Sequence, residues 1–488
     1  MIATQLPPSL IPEGRTLFIG GRWSAGDDFY DRPDPSCAGQ RTGTYARASA
    51  EHVETAYSAA ATAQPQWAAV PAPQRSEILR RAADLLEGRL EEATRRLTAD
   101  MGKARRDARG EVVRSVSILR YFAGELLQPT GDTYASADPS VLLLTLEEPV
   151  GVVCAITPWN FPFAIPTWKL APALAFGNAV VWKPADAASG SAVLLTETLA
   201  AAGLPDGVLN LVTGKGRLMS ASLTKDPRLN ALTFTGSGDV GSLLRQSVAD
   251  RNIKVQLELG GKNPAVVLAD ADLRDAAAQI VRGAMGCTGQ RCTATSRVYV
   301  ERSVAPEFRN LIRQQVESLT VGDPYDEGTD VGPVVSAEQQ ASIQRYMAVA
   351  AEENAELIAK GASGPTSGYF VAPTVFGGLG RDSIVAREEI FGPVLVLEEV
   401  DGFEEALRAA NDTEFGLSSA IFTRDITHAL SFARLARSGL VHVNRETAGV
   451  EPHVPFGGLK GSSNMAREQG KAARTFFTNT KTVYVRTP

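Results

Sequence analysis

Cysteine, histidine, long apolar runs and any surplus of basic charge are all in short supply in this chain of 488 residues. Its four cysteines, Cys37, Cys154, Cys287 and Cys292, form no CxxC pair. They cannot make a disulfide framework and point instead to a reducing compartment. Its four histidines, His52, His428, His442 and His453, stand apart from cysteine and carboxylate clusters, so no metal site is expected. The most apolar stretches, Val141 to Leu146 and Val150 to Ile156, are of strand length. A membrane span needs about 18–20 apolar residues. The opening residues MIATQLPPSLIPEG have no charged segment ahead of a long apolar core and do not read as a signal peptide. A net charge of −6 leaves no basic footprint, which excludes nucleic acid and membrane surfaces as partners. A soluble cytoplasmic protein is the expectation. Its length predicts two or three domains.

The first 50 residues, rich in Pro, Gly and Asp, read as loops with short strands. Ser76 to Asp100 places Ile78, Leu79, Ala82, Leu85, Leu86, Leu90, Ala93 and Leu97 at helical spacing and reads as one amphipathic helix. Asp107 to Gln128 reads as a second. Val141 to Leu146 is a strand. From Pro149 onward, strand-length apolar runs alternate with helical segments: strands at 151–156, 179–183, 208–212, 231–235 and 254–259, helices at 163–175, 191–202, 218–224 and 240–249. A second such series starts near Ala265 and continues to Val443. Repeated βα units predict an α/β protein with parallel sheets covered by helices. The tail from Ala473 to Val485 reads as an edge strand seeking a partner.

Three segments carry chemistry. Gly289-Gln290-Arg291-Cys292-Thr293-Ala294 holds a cysteine among small and polar residues. A thiolate there is a strong nucleophile toward a carbonyl carbon, and Arg291 could favour it electrostatically. Cys287, five residues earlier, is a competitor, and a purely structural cysteine is the plain alternative. Glu258 closes a strand before Gly260 and Gly261 and can serve as a general base. It also lies 17 residues beyond Gly236-Ser237-Gly238-Asp239-Val240-Gly241, a GxGxxG between strand and helix, where an acid would bind ribose hydroxyls. Either way, a phosphate at this helix N-terminus is reasonable. Asn160, just past a strand end in Thr157-Pro158-Trp159-Asn160-Phe161-Pro162, can donate to a developing oxyanion or simply shape a turn.

In combination these segments resemble the NAD(P)-dependent aldehyde dehydrogenase superfamily over nearly the whole chain. The matching runs are TPWNFP at 157–162, WKLAPALAFGN at 168–178, VVWKP at 180–184, FTGSGDVG at 234–241, ELGGKNP at 258–264, GQRCTA at 289–294, EEIFGPV at 388–394, NDTEFGLSSAIFT at 411–423 and PFGGLKGS at 455–462. The resemblance implies an aldehyde dehydrogenase fold: a Rossmann-like cofactor domain (residues 1–130 and 150–258), an α/β catalytic domain (259–443) and a small β oligomerisation element (131–149 and 470–488). It implies a homodimer or homotetramer. It also resolves the Glu258 alternative in favour of the catalytic base. Cys292 is then the nucleophile, Asn160 and the Cys292 backbone N–H form the oxyanion hole, and Lys169 and Glu468 match proton-relay positions. Thr157, Pro158 and Trp159 fall beside the cofactor. Lys183 and Glu389 match ribose positions, Phe391 the nicotinamide neighbour, and Gly236, Ser237 and Gly241 the pyrophosphate turn. Asp186 stands where NAD-preferring relatives often have Glu. A shorter carboxylate still repels a 2′-phosphate, so NAD is the expected cofactor, with NADP possible.

Within the superfamily the texture is closest to the α-ketoglutaric semialdehyde dehydrogenases, through NFPFAIPTWK at 160–169, CTGQRCTATSR at 287–297 and NRETAGVEPHVPFGGLKGSSNMAREQG at 444–470. The expected substrate is thus a small aldehyde bearing a carboxylate. Arg291 is the candidate partner of that carboxylate, and Phe161, Trp168 and Phe456 the candidate tunnel lining. Cys287 departs from the expected pocket pattern. Three alternatives stand beside this reading. A broad-range or aromatic aldehyde dehydrogenase would make Arg291 incidental. A catalytically silent binding relative would be expected to lose Cys292 or Glu258. A CoA-acylating relative would have no use for Glu258 as a water-activating base.

Overall fold

The computed structural model describes residues 14–486; the N-terminal stretch read above for a signal peptide lies, but for Gly14, outside them. Two seven-stranded sheets dominate. The first runs in the order Lys254–Glu258, Leu229–Thr235, Val152–Thr157, Ala179–Pro184, Leu209–Leu211, Leu17–Ile19 and Arg22–Ser24. Its first five strands are parallel. Strands Val152–Thr157 and Ala179–Pro184 are buried along almost their whole length, because helices cover both faces; this is why they read as unbroken apolar runs. The chain order reverses between Val152–Thr157 and Leu229–Thr235, so a crevice opens at their carboxyl ends, where open α/β sheets bind ligands.

The second sheet runs Glu356–Lys360, Thr374–Gly377, Val394–Val400, Thr295–Glu301, Asn263–Val267, Ser418–Phe422 and Leu440–Val443. It is parallel except for its first strand. A three-stranded sheet joins Thr478–Arg486, Val141–Pro149 and Thr133–Tyr134. The tail strand pairs antiparallel with Val141–Pro149 over nine residues. Leu142, Leu146, Tyr134, Tyr484 and Val485 are exposed on this small sheet. No helix among the described residues is long and apolar enough to cross a membrane.

Three elements differ from the sequence reading. Ser76 to Asp100 is two helices, Ala72–Gly88 and Leu90–Met101, broken at Arg89. Gly88 weakens the helix locally, and the Arg89 guanidinium bridges Glu92 and Glu197 at 2.7 and 2.9 Å. The early segment holds a long hairpin, Asp28–Asp34 with Cys37–Arg47, rather than short strands in loops. The tail begins as a helix, Ala472–Phe477, because Ala473, Phe476 and Phe477 bury themselves at helical spacing; only from Thr478 is it a strand.

One helix pair positions the site. Ala164–Ala175 is buried on every side, which explains its nearly unbroken apolar composition. It packs against Arg105–Glu125, and between them they carry Asp107, Glu111, Arg114, Trp168 and Lys169.

Candidate active site

The segment leading to Cys292 leaves helix Leu273–Met285 through three consecutive left-handed residues, Cys287, Thr288 and Gly289, with φ of 52°, 59° and 68°. Such a conformation costs about 1–3 kcal/mol for each non-glycine residue, so the surroundings must impose it. The Cys287 N–H donates to Asp107 Oδ2 at 2.8 Å. Thr288 Oγ1 donates to the Gly332 carbonyl at 3.0 Å, and Gln290 Oε1 accepts from the Val335 N–H at 3.0 Å. Asn263 Nδ2 donates to the carbonyls of Cys292 and Ala294 at 2.8 and 2.9 Å. A β-carbon on Gly289 would collide with the Gly392 carbonyl. Gly289→Ala is therefore expected to destabilise the protein by at least about 1–3 kcal/mol and to lower its thermal midpoint. An unchanged midpoint would show that this loop relaxes without cost.

Burial pushes the Cys292 thiol up to about 12, with Glu389 and Glu258 adding to the rise. The resting residue is a neutral thiol. Arg291 does not assist it as the sequence predicted. Its guanidinium turns to Asp107 at 3.7 Å and Glu446 at 3.9 Å. Burial opposes the Arg291 charge, while Cys287, Asp107 and Glu446 sustain it. Adjacent residues in an irregular loop point in different directions, which sequence adjacency does not reveal.

Asn160 lies at the carboxyl end of Val152–Thr157, and its Nδ2 donates to the Gln290 carbonyl at 3.1 Å. Its amide is thus held against the nucleophile loop. Its own carbonyl accepts from Lys103 Nζ at 2.9 Å, and Lys103 pairs with Glu111 at 2.5 Å in a fully buried ion pair.

Glu258 ends the edge strand of the first sheet and is 1% exposed. Its Oε1 accepts from Ser463 Oγ at 2.9 Å, whereas Oε2 is buried without a partner. Burial and the neighbouring Glu468 raise its pKa well above the ordinary carboxylate range. Glu468 is brought there by an antiparallel bridge with Phe456 and forms a buried ion pair with Lys169. Lys169 Nζ also donates to Thr233 Oγ1 at 2.8 Å. Glu258, Lys169 and Glu468 are therefore brought together, although 299 positions separate Lys169 from Glu468.

Of the predicted cofactor residues, Thr157, Lys183 and the Gly236–Gly241 turn lie at the carboxyl ends of the first sheet's strands, and Glu389 and Phe391 just before strand Val394–Val400 of the second. Thr157 Oγ1 accepts from Trp182 Nε1 at 2.9 Å, and the Pro158 that follows continues the chain toward Trp159 and Asn160. Trp159 meets Phe391 edge-on, with ring centroids 5.4 Å apart. Helix Gly238–Ser247 starts directly after strand Leu229–Thr235, with no side-chain cap on its N-terminus, and a β-carbon at Gly238 would meet nothing within 4 Å. Open backbone N–H groups here suit a pyrophosphate. Ser237 is the N-cap, and the Gly241 N–H is already bonded within the helix. Lys183 is buried and lies 3.6 Å from Asp186; burial lowers its pKa, with Asp186 opposing. Glu389 Oε1 accepts from the Gly261 N–H at 2.8 Å, and burial raises the Glu389 carboxyl to about 7. A buried lysine and an uncapped helix at the carboxyl ends of the first sheet suit the ribose and pyrophosphate groups of a dinucleotide.

A cavity of about 210 Å³ reaches Cys292 and is lined by Phe161, Trp168, Phe456 and Arg291. Trp168 and Phe456 lie 5.3 Å apart. Residues 23–483 match the model of the aldehyde dehydrogenase family. The chain belongs to the aldehyde dehydrogenase family. The α-ketoglutaric semialdehyde dehydrogenase of Bacillus subtilis is 43% identical over 98% of this chain and 100% of its own length. The α-ketoglutarate semialdehyde dehydrogenase of Haloferax volcanii is 41% identical over 96% of this chain and 98% of its own. The crystal structure of an NAD-dependent aldehyde dehydrogenase from Sinorhizobium meliloti superposes with a TM-score of 0.93 at 35% identity, covering 99% of this chain and 97% of that one.

Sequence reasoning missed several residues that shape this dehydrogenase's site. Asn263 lies inside the quoted ELGGKNP run, but its grip on the Cys292 carbonyl depends on strand pairing. Asp107, Arg114 and Glu446 also line the cavity. The helical periodicity of 107–128 marks its charged residues as solvent-facing, so Arg114 carried no signal.

Proposed function

We propose that this enzyme oxidises a carboxylate-bearing semialdehyde, of which α-ketoglutaric semialdehyde is the model, to the corresponding acid. The observation that carries the reading is Cys292 at the end of a cavity that also presents arginine. It is supported by near-full-length relatives named for that substrate.

In this reading Cys292 Sγ attacks the aldehyde carbon, and its proton leaves toward a nearby carboxylate. The Asn160 amide and the Cys292 N–H stabilise the thiohemiacetal oxyanion; one such donor is worth about 3–4 kcal/mol. NAD(P), held in the crevice described above, would supply the hydride acceptor that converts the thiohemiacetal to a thioester. Ionised Glu258 then takes a proton from water as that water adds to the Cys292 thioester. The Lys169–Glu468 pair, already in contact, passes that proton onward. The cofactor crevice is held by Thr157, Pro158, Trp159, Lys183, Gly236, Ser237, Gly241, Glu389 and Phe391. Asp186, beside Lys183, disfavours a 2′-phosphate, so NAD is the preferred form. The division into a cofactor unit, a catalytic unit and an oligomerisation element is supported by the two seven-stranded sheets and the separate three-stranded one. The exposed apolar face of the three-stranded sheet supports assembly as a dimer or tetramer in the cytoplasm.

The test follows reduced-nicotinamide absorbance with NAD and NADP, using α-ketoglutaric semialdehyde, succinic semialdehyde and benzaldehyde. The expected result is a kcat/KM at least about tenfold higher for the two carboxylate-bearing aldehydes, a modest figure for one charge-assisted contact. A preference for benzaldehyde would keep the chemistry and overturn the substrate class.

A further inference from the structure

Two arginines reach the cavity that ends at Cys292, and their electrostatic situations are opposite. Arg291 lies between Asp107 and Glu446 at 3.7 and 3.9 Å, so its charge is compensated although its Nε is buried without a hydrogen-bond partner. Arg114 has no ion-pair partner among the described residues. Its two recorded hydrogen bonds go to neutral acceptors, the Val450 carbonyl and Gln469 Oε1, the latter at 3.2 Å. A guanidinium has five N–H groups, so three are left over. Burial lowers the Arg114 pKa, with Glu451 and Glu111 opposing. Glu111 is itself committed to Lys103 and to the Phe163 and Ala164 N–H groups.

A second, independent feature lies beside it. The Arg114 guanidinium sits over the Trp168 ring, 5.9 Å from its centroid. Trp168 also lines the cavity and is 6% exposed, yet its indole N–H is buried with no acceptor. Unmet buried donors are costly. The spare Arg114 N–H groups and the Trp168 indole N–H, one of them cationic, are complementary to an anionic oxygen ligand, although Glu446 Oε2 on the same cavity is an acceptor that is also buried without a partner.

We propose that Arg114, together with the Trp168 indole N–H, binds the substrate carboxylate, and that Arg291 serves to hold the nucleophile loop. This rests on the semialdehyde reading above. The carboxylate replaces no existing ion pair when it meets Arg114, whereas at Arg291 it would compete with Asp107 and Glu446. The 2-oxo group of a keto-acid semialdehyde adds a second acceptor, which the indole N–H can serve.

The experiment compares kcat/KM for α-ketoglutaric semialdehyde with that for pentanal, an uncharged aldehyde of equal chain length, in wild type, Arg114→Gln and Trp168→Phe. Arg114→Gln is expected to lower the charged-to-neutral ratio about 100-fold, chiefly through KM, and Trp168→Phe about tenfold, as befits a charged and a neutral donor. Turnover of pentanal reports that each variant is folded. If Arg114→Gln does not fold, Arg114→Lys carries the test: it keeps the charge without the planar fork, and the ratio should fall roughly five- to twentyfold. A preference that survives these Arg114 changes overturns this assignment alone. A wild type with no preference for the charged aldehyde overturns both this assignment and the substrate reading.

Discussion

Cys292→Ala is expected to abolish aldehyde oxidation, with kcat falling at least about 10⁴-fold, while NAD still quenches tryptophan fluorescence and the thermal midpoint stays near wild type. Cys292 is half-buried at the edge of the core; its loop is held by Asn263 and Asp107 on its backbone and by the Gln290 side chain on the Val335 N–H. Removing sulfur therefore deletes chemistry rather than structure. Cys287→Ala is the control. Cys287 is also buried at this cavity, so residual turnover in Cys292→Ala that disappears on adding Cys287→Ala would transfer the nucleophile's role to Cys287. Because burial holds Cys292 as a neutral thiol, iodoacetamide should label it slowly near neutral pH. Labelling should accelerate as pH rises, since the thiolate is the reactive form.

Glu258→Gln is expected to separate the two halves of the reaction. Thioester formation does not need this carboxylate as a water-activating base, so a burst of about one reduced nicotinamide per active site should appear. The steady state that follows should slow by about 10²–10⁴-fold, the usual worth of a general base. The sign of the pH dependence follows from the site. Glu258 acts when ionised, and burial beside Glu468 raises its pKa. Its ionised fraction thus falls on acidification sooner than that of an ordinary carboxylate, and turnover limited by hydrolysis should climb with pH through the raised value. Glu258→Gln should flatten that limb. A variant with no burst would place Glu258 before hydride transfer. A variant with normal steady-state turnover would remove it from the mechanism, and turnover that required CoA would make the thiol of CoA, not water, the acyl acceptor.

The first parallel sheet was legible because buried parallel strands are largely apolar on both faces, as the runs at 151–156 and 179–182 are. The helix break at Arg89 was not, because the apolar spacing continues across it; the salt bridge that favours the break involves Glu197, far away in the chain. The tail's helical start was masked by β-branched residues beyond it. Each of these misses has the same origin: local pattern reports burial, not the direction in which the chain turns.

The same division holds at the site. Cysteine, glutamate and asparagine in their glycine- and proline-marked runs mark a candidate nucleophile, base and oxyanion donor, each with a structural alternative that only the family resemblance resolves. Charge pairing is not local. Whether Arg291 or Arg114 has positive charge to spare depends on Asp107 and Glu446, which approach from a helix and a loop 184 and 155 residues from Arg291. The sequence by itself determined the fold class and, through its family resemblance, the candidate reacting groups. Only the tertiary structure decided which arginine is already neutralised, that Lys169 meets Glu468, and that burial keeps Cys292 protonated, because Coulomb interactions and desolvation depend on distance in space.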